Sequence, residues 1–528
     1  MTARTLTVGG ATYPLILPNI RDPRLHVAAV IITVHVLGQV GLHFRVSVPQ
    51  ILAAILTCAI LEVAITFRQS RSFVWPASAM LTGSGVALIF RVVGTPPDDP
   101  WSTHAWYVFA IVAGLSLLSK YVIRYRGAHV FNPSNIGLVI AFIVLGSTRV
   151  EPLDFWWAPL NGWLLAAYAV IIVGGLLITR RLHLLALAAT FLVGLSVGVG
   201  TLAASGHCMT ARWAFEPVCG LDFWRVIVTS PEVLIFLFFM ITDPRTAPAG
   251  RVGRVVFGLL VALASTVLMA PQTNEFGTKV GLLAGLVAVC AIRPLLDRLL
   301  PEPRSAADNI RRYASRLVIG DNAKPGVFRG ALGVALTIVA TFVLGAGIVA
   351  AGTPARGLVV PDTTEMLDGV AHQIDPATLP TITADVEAWD ETIAGPIAQD
   401  ILVTLADNLE LENQALLRRD ENLLTAVDHG DRLREMQGRL HDDQVSGQTV
   451  IAHYRFDTVH VILIAPFGVQ TGGSIGLESR GTVTEETYDA HGALLDRRTS
   501  PFELTFAVRR PTGDRWLIVA VLPTAKGS

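Results

Sequence analysis

Apolar runs about as long as a bilayer crossing recur along this chain as far as Gly352 and then stop. They fall at residues 25–44, 49–67, 74–92, 105–123, 130–146, 156–178, 182–204, 226–242, 255–270, 278–296 and 327–351. A water-soluble core has no use for so many, and the composition agrees. Hydrophobic residues make up 52% of the chain and charged ones only 16%, far from soluble averages. The sequence predicts a multi-pass α-helical membrane protein with a soluble carboxy-terminal part. The stretch before Arg24 is polar, and no small-residue cleavage site follows the first run, so a removed signal peptide is not expected.

Alternate loops carry the basic residues: Arg68 and Arg71; Lys120, Arg124 and Arg126; Arg180 and Arg181; Arg245, Arg251 and Arg254. Basic loops stay in the cytoplasm. The loops between them hold Asp98 and Asp99, then Glu151 and Asp154, then residues 271–275, and face outward. Residues 298–324, with Arg304, Arg311, Arg312 and Arg316, fall inside, so an eleventh crossing exports the tail. The expected organisation is a ten-helix membrane domain over residues 1–300, a cytoplasmic linker at 301–326, the eleventh helix at 327–351, an extracytoplasmic tether at 352–395 and an extracytoplasmic domain at 396–528. With a net charge of −1 and basic residues confined to short loops, the chain offers no face for nucleic acid.

Cys208 and Cys219 share one outward loop, while Cys58 and Cys290 fall within spans. An oxidising side permits a Cys208–Cys219 bridge; two free thiols are the alternative. His207 beside Cys208 lacks the paired short spacings of a zinc site, and no metal is expected.

Two segments break helical grammar next to the membrane. One is Phe131-Asn132-Pro133, close behind Lys120, Arg124 and Arg126; the other is Thr242-Asp243-Pro244, with Thr246 just beyond. Each sets a helix-capping side chain beside a proline that lacks an amide donor. Such breaks free backbone groups, which a bilayer tolerates only against protein or a watered cavity. With Thr82-Gly83-Ser84-Gly85 ahead of Pro96 and Trp101, these segments resemble the D subunit of the Rnf complex and the B subunit of the sodium-pumping NADH:quinone reductase. The likeness covers roughly residues 67–297. It implies ten helices arranged as two inverted five-helix repeats, a flavin, and electron transfer within a larger membrane complex coupled to ion movement. It also implies a cofactor site drawn from Phe131, Asn132, Pro133, Thr242, Asp243, Pro244 and Thr246. Lys120, Arg124 and Arg126 would suit the phosphate of a flavin, while a basic loop there is equally what cytoplasmic orientation requires. The Ser-Gly-Ala-Thr motif that carries covalent flavin in that family is absent. The expected ligand is therefore FMN or riboflavin held without a covalent bond. The chain is similar in this to a branch of the family, encoded beside enediyne biosynthesis genes, that keeps the membrane signatures without the flavinylation motif.

Other polar residues have bland and functional readings side by side. Glu62 and Glu232 are ionisable groups in apolar runs, suited to ion or proton handling or else to pairing with a donor or snorkelling. His35 reads as a packing histidine, and Gly194, Gly198 and Gly200 as helix-packing glycines. From residue 397 to 440 leucines recur at helical spacing; after Gly447 the period becomes two, with strands at 450–456, 459–463, 481–488, 493–498, 502–509 and 516–522. This order predicts an α+β cone similar to the nuclear-transport-factor-2-like superfold, suited to a small apolar ligand or a protein partner. Asp428, His429 and Asp431 form either a polar cluster or a simple turn between helices. No nucleophile, base and orienter can be assembled, so no catalytic residue is assigned. The expected partners are the lipid bilayer and other membrane redox subunits. A non-redox transporter or a membrane scaffold for specialised metabolism is the alternative.

Overall fold

The computed structural model describes residues 2–8, 11–42, 44–96, 99–147, 149–153, 162–209, 211, 218–313, 348, 380–389, 393, 396–464, 474–509 and 515–523. The chain forms two compact units, one of Met1–Met209 with Cys219–Ala355 and the other of Thr210–Val218 with Arg356–Ser528.

The first unit is a helical bundle. Its helices are α1 Pro23–Val40, α2 Val48–Ser70, α3 Ala77–Ile89, α4 Trp106–Val122, α5 Pro133–Leu145, α6 Gly162–Arg181, α7 Leu185–Ala204, α8 Gly220–Thr229, α9 Pro231–Ile235, α10 Arg251–Met269, α11 Glu275–Ala291 and α12 Arg293–Leu299. A single π-helical turn, Phe236–Ile241, continues α9. Five of these helices (α1, α2, α6, α7 and α10) are long and apolar enough to cross a membrane. Two bent pairs, α8 with α9 and its π turn and α11 with α12, pass the same test together, while α3, α4 and α5 are shorter apolar helices.

Local chemistry sets the helix starts. Asp22, Ser47, Asn132 and Ser230 each cap a helix, with proline at the first or second helical position, where its missing N–H costs nothing. Ser47 and Gln50 complete a capping box. In α1 the buried residues Ile31, Val34, His35 and Gly38 form one stripe, while Ile32, Val36 and Val40 are exposed. Leu56, Ile60, Ile143, Val144, Leu177 and Val197 are likewise exposed. This apolar exterior is what helices in lipid require.

The expected run at 74–92 contains a shorter helix than its hydropathy implies. After Ile89 the chain turns into the strand β4 Phe90–Val92, which pairs with Val150–Pro152 and sets Arg91 opposite Glu151. The amino-terminal stretch read as merely polar forms a hairpin of Thr2–Val8 with Ala11–Leu17, joined by Phe73–Val74 as a third strand. The eleventh apolar run, 327–351, lies outside the described residues except for Ile348.

The basic loops gather at one end of the bundle. There Arg181 donates to the Arg21 carbonyl at 2.7 Å, Arg254 to the His183 carbonyl at 2.8 Å, and Arg126 meets Asp297 at 3.4 Å. At the other end Ser47 bonds the Ser102 carbonyl at 2.6 Å and Gln50 the His104 carbonyl at 2.8 Å. Lys279 pairs there with Glu275 at 2.6 Å, and both are buried.

The second unit packs the helices Pro396–Arg418, Glu421–Val427 and Gly430–Ser446 with a five-stranded sheet. The strands run in the order Thr381–Ile382, Gln448–Ile464, Ser474–Asp489, Leu494–Arg509 and Leu517–Pro523; the first pair is parallel and the rest antiparallel. Ile401, Leu402 and Leu405 bury against Phe456, Val461, Leu477, Phe506 and Ile518. The runs expected at 450–456 and 459–463 are one continuous strand, interrupted only by a bulge between Phe456 and Thr458. Residues 493–498 and 502–509 are likewise one strand, with Pro501 inside it. That proline is tolerated because the outer neighbour, Leu517–Pro523, pairs only from Leu504 onward. The sheet takes in Thr381–Ile382, and the core takes in Val386 and Ile393, from the stretch read as a tether. Residues 510–514, between the last two expected strands, lie outside the described residues.

Candidate functional site

The break before α5 is built by Asn132. Its Oδ1 accepts the Asn135 amide at 3.2 Å and the Ser134 hydroxyl at 2.8 Å, and Pro133 follows as the first helical residue. The second break ends the π-helical turn Phe236–Ile241. Thr242 donates its hydroxyl to the Phe238 carbonyl, and Asp243 Oδ1 accepts the Arg245 amide at 3.0 Å, an Asx-turn that turns the chain away from the helix. A π turn widens the helix and leaves carbonyls free for other donors, a feature common at functional sites.

The two breaks meet in space. Asn132 Nδ2 donates to the Met240 carbonyl at 3.4 Å, and His129 Nε2 lies 3.1 Å from Asp243 Oδ2. His129 is carried there by a short hairpin, Arg124–Tyr125 with Ala128–His129. Arg126 (φ 48°) and Gly127 (φ 82°) form its tip, the left-handed pair that a two-residue hairpin demands.

Together they wall a cavity of about 620 Å³, within the range of small-molecule sites. It follows one stripe of α3: Ser78, Leu81, Thr82, Gly85, Leu88 and Ile89. At 1.5 Å per residue that stripe is roughly 17 Å deep. The lining is apolar at Ile31, Ile235, Phe238 and Phe239 and charged at Asp22, Arg24, Glu62, Lys120, Arg124, Asp243 and Arg245.

Most of these charges are already paired. Arg24 pairs with Asp22 at 2.6 Å and Lys120 with Glu62 at 2.9 Å; Tyr121 also donates to Glu62. Glu62 is therefore a paired acid. Lys120, read as a phosphate ligand, is committed first to that carboxylate. Arg124 spends one amino group on the Gly127 carbonyl at 2.5 Å. The Arg245 side chain has no hydrogen bond or ion pair among the described residues.

Of the residues expected to hold a cofactor, Lys120, Arg124, Asn132, Pro133, Thr242, Asp243 and Pro244 line this cavity. Arg126 and Thr246 line a second one of about 410 Å³, with Arg293 and Asp297. Phe131 lines neither. Asp22, Arg24, Glu62, Tyr121, His129 and Arg245 are lining residues the motifs did not reveal. The signal for Glu62 was its charge inside an apolar run; Arg24 and Arg245 looked like ordinary loop residues.

His35 is buried, with Nε2 3.2 Å from the Ser84 hydroxyl. Glu232 accepts from Ser230, next to it at the start of α9. Gly194 and Gly198 face Ala262 and Thr266 of α10, a helix contact that leaves no room for a β-carbon. Cys208 and Cys219 form a disulfide, and Cys58 and Cys290 are free and buried. Among the described residues no group of three or more His, Cys, Asp or Glu is placed to hold a metal.

In the second unit Asp428 and His429 are buried and Asp431 is half-buried, pairing with Arg434 at 2.7 Å. Asp428 sits instead beside Glu412 and Arg432. Burial, then the Glu412 charge, pushes its carboxyl well above the usual range. Burial likewise pushes His429 down to about 4. A scan of the chain against models of protein families and a search of curated proteins both find no match.

Proposed function

We propose that the helical bundle binds a flavin, FMN or riboflavin, without a covalent bond and serves as a membrane subunit of an electron-transfer system similar to the Rnf and sodium-pumping NADH:quinone reductase complexes. One observation carries this: the motifs at Asn132-Pro133 and Asp243-Pro244, 111 positions apart in sequence (243 − 132), line one cavity with Arg124. The cavity suits a flat ring with a polar tail. Phe238, Phe239, Leu88 and Ile89 offer apolar and aromatic surface, and Arg124 and Arg245 offer cations at the polar end. The bound flavin would supply the electron chemistry. The chain's own residues bind and orient it: the Asp243–His129 contact and the Asn132–Met240 contact hold the two breaks together and fix the cavity's shape.

The inverted-repeat reading has support in the helix pairing. α2 packs on α4 as α7 packs on α10, and α4 on α5 as α10 on α11. α1 meets α3 as α6 meets α9, while α1–α6 and α5–α11 join the halves. In this reading the shorter helices and the bent pairs complete ten crossings of the cell membrane, with the basic-loop end in the cytoplasm. The amino terminus is then cytoplasmic, and the carboxy-terminal domain, outside if the apolar run at 327–351 is an eleventh crossing, docks a protein partner or a small apolar ligand.

Absorbance of the protein purified in detergent tests the redox proposal. Flavin bands that acid precipitation releases into the supernatant are expected. Colourless, folded protein that takes up no added flavin would remove it. A transporter is the second reading, favoured by the cavity's course along the whole of α3; solute uptake into vesicles, in protein that binds no flavin, would select it.

A further inference from the structure

The two cavities at the basic-loop end share a wall. His129 and Arg245 line both the 620 Å³ chamber and the 410 Å³ chamber. The first has a long apolar side along α3; the second is small and walled by Arg126, Arg245 and Arg293 with Asp297 and Glu302. Their cations are not equivalent. Arg293 is held by Asp297 at 2.8 Å and by the Thr246 carbonyl, and Arg126 reaches Asp297 at 3.4 Å. Across the wall, Lys120 and Arg24 are neutralised by Glu62 and Asp22. Arg245 stands between the chambers with its guanidinium uncommitted among the described residues, while its amide is fixed by Asp243 Oδ1 at 3.0 Å. A planar fork of donors on a fixed backbone is the side chain that best matches a phosphate.

We infer that Arg245 is the anion anchor of a two-chamber site, and that its ligand is a phosphate-bearing flavin, with the ring in the larger chamber and the phosphate at the shared wall. This rests on the flavin reading above and adds to it: riboflavin has the ring and no phosphate, so the site discriminates between the two. Arg124, already bonded to Gly127, is the secondary cation. The same phosphate chemistry is presented by anionic lipid headgroups, so the source of the phosphate is part of the test.

The experiment is a fluorescence titration of the full-length protein in uncharged detergent with riboflavin and with FMN. FMN is expected to bind roughly 10- to 100-fold more tightly, the range of one charge-assisted contact. Arg245→Ala should remove most of that difference, weakening FMN far more than riboflavin, and Arg245→Lys should restore part of it. Inorganic phosphate should compete with FMN and not with riboflavin. Equal affinities in the unaltered protein would overturn the inference while the flavin reading stands. So would an Arg245→Ala variant that weakens both ligands alike. If phosphatidylglycerol in mixed micelles blocks FMN and inorganic phosphate does not, Arg245 is a lipid site and the inference fails. Protein that binds neither flavin sinks the inference and the reading together.

Discussion

The carboxylate of Asp308 accepts the Val252 amide at 2.9 Å, so the first turn of α10 is capped by a residue 56 positions further along the chain. Its other oxygen accepts the Arg251 amide at 3.0 Å and the Arg304 amide at 3.1 Å, whereas Gly250, at the local cap position, has no side chain to do so. Replacing Asp308 by Ala should cost about 1 kcal/mol, the usual worth of a cap. Burial raises the carboxyl's pKa, but the three amides outweigh it and hold it below the ordinary value of 3.8. A depressed pKa means the contribution is present above that ordinary value and lost as pH falls through the lower folded one. Faster hydrogen exchange confined to the start of α10 is expected in Asp308→Ala at neutral pH. Unchanged exchange there would show that the contact holds nothing.

Gly83 lets α3 lie against α2. A β-carbon built on it would meet the Ala54 carbonyl oxygen at 2.4 Å, and a backbone oxygen inside a helix cannot swing aside. Gly83→Ala should therefore cost about 1–3 kcal/mol by overpacking, although alanine is the better helix former. Thermal unfolding in detergent reads this directly. A stabilised variant would mean the two helices separate without penalty.

Asp243→Ala should injure binding more than folding. Pro244 and the π-helical turn remain to break the helix, while His129 loses the carboxylate 3.1 Å from its Nε2. The lost Asx-turn is worth about 1 kcal/mol, and ligand affinity should fall about tenfold or more as the wall between the chambers loosens. Comparing the melting point with a ligand titration separates the two. Parallel losses would make Asp243 a purely structural cap.

Hydropathy makes the bundle legible because lipid imposes one strong rule on every crossing. It is blind to hydrogen-bond spacing, so the π turn at Phe236–Ile241 has no sequence signature beyond the proline that follows. The motifs at Asn132 and Asp243 are readable because cap-and-proline pairs act locally. The pairing of Glu62 with Lys120, 58 residues apart, is not, since nothing local tells an acid which base it will meet. Period-two alternation in the soluble domain locates strands but not their continuity. The bulge after Phe456 shifts the phase of one long strand, and the alternation then reads as two.

The Cys208–Cys219 disulfide closes a short loop with the bonded residues 11 apart. In the chain-entropy model such a loop is restrained by about 3 kcal/mol. Maleimide labelling under denaturing conditions should modify two thiols, Cys58 and Cys290, and all four after reduction. Four reactive thiols without reductant would mean that the bridge does not form in the cell, and an outward face for that loop would lose its support.

Asp428 gives the soluble domain a pH dependence of definite sign. It is 1% exposed beside Glu412 at 3% and Arg432 at 5%. Arg432 grips Glu412 with two bonds, 2.7 and 2.6 Å, and meets Glu435 at 3.1 Å. The guanidinium satisfies Glu412, leaving Asp428 a second buried acid whose two oxygens have no hydrogen-bond partner among the described residues and whose neutral form is favoured by burial and by the Glu412 charge. A raised carboxyl pKa contributes fully below the unfolded value of about 3.8 and is lost as pH rises through the folded one. Asp428→Asn is neutral at every pH and keeps nearly the same shape. Its stability should match the unaltered protein in acid and exceed it increasingly as pH rises. The His429 amide bonds to the Ile518 carbonyl at 2.8 Å, so exchange protection of the strand Leu517–Pro523 is the local readout. Parallel pH curves for the two proteins would show that Asp428 does not set the pH dependence. Glu412→Ala, which leaves the buried Arg432 only its 3.1 Å contact with the exposed Glu435, should instead cost about 3 kcal/mol. That contrast separates an acid that burial disfavours once charged from one that an arginine grips with two bonds.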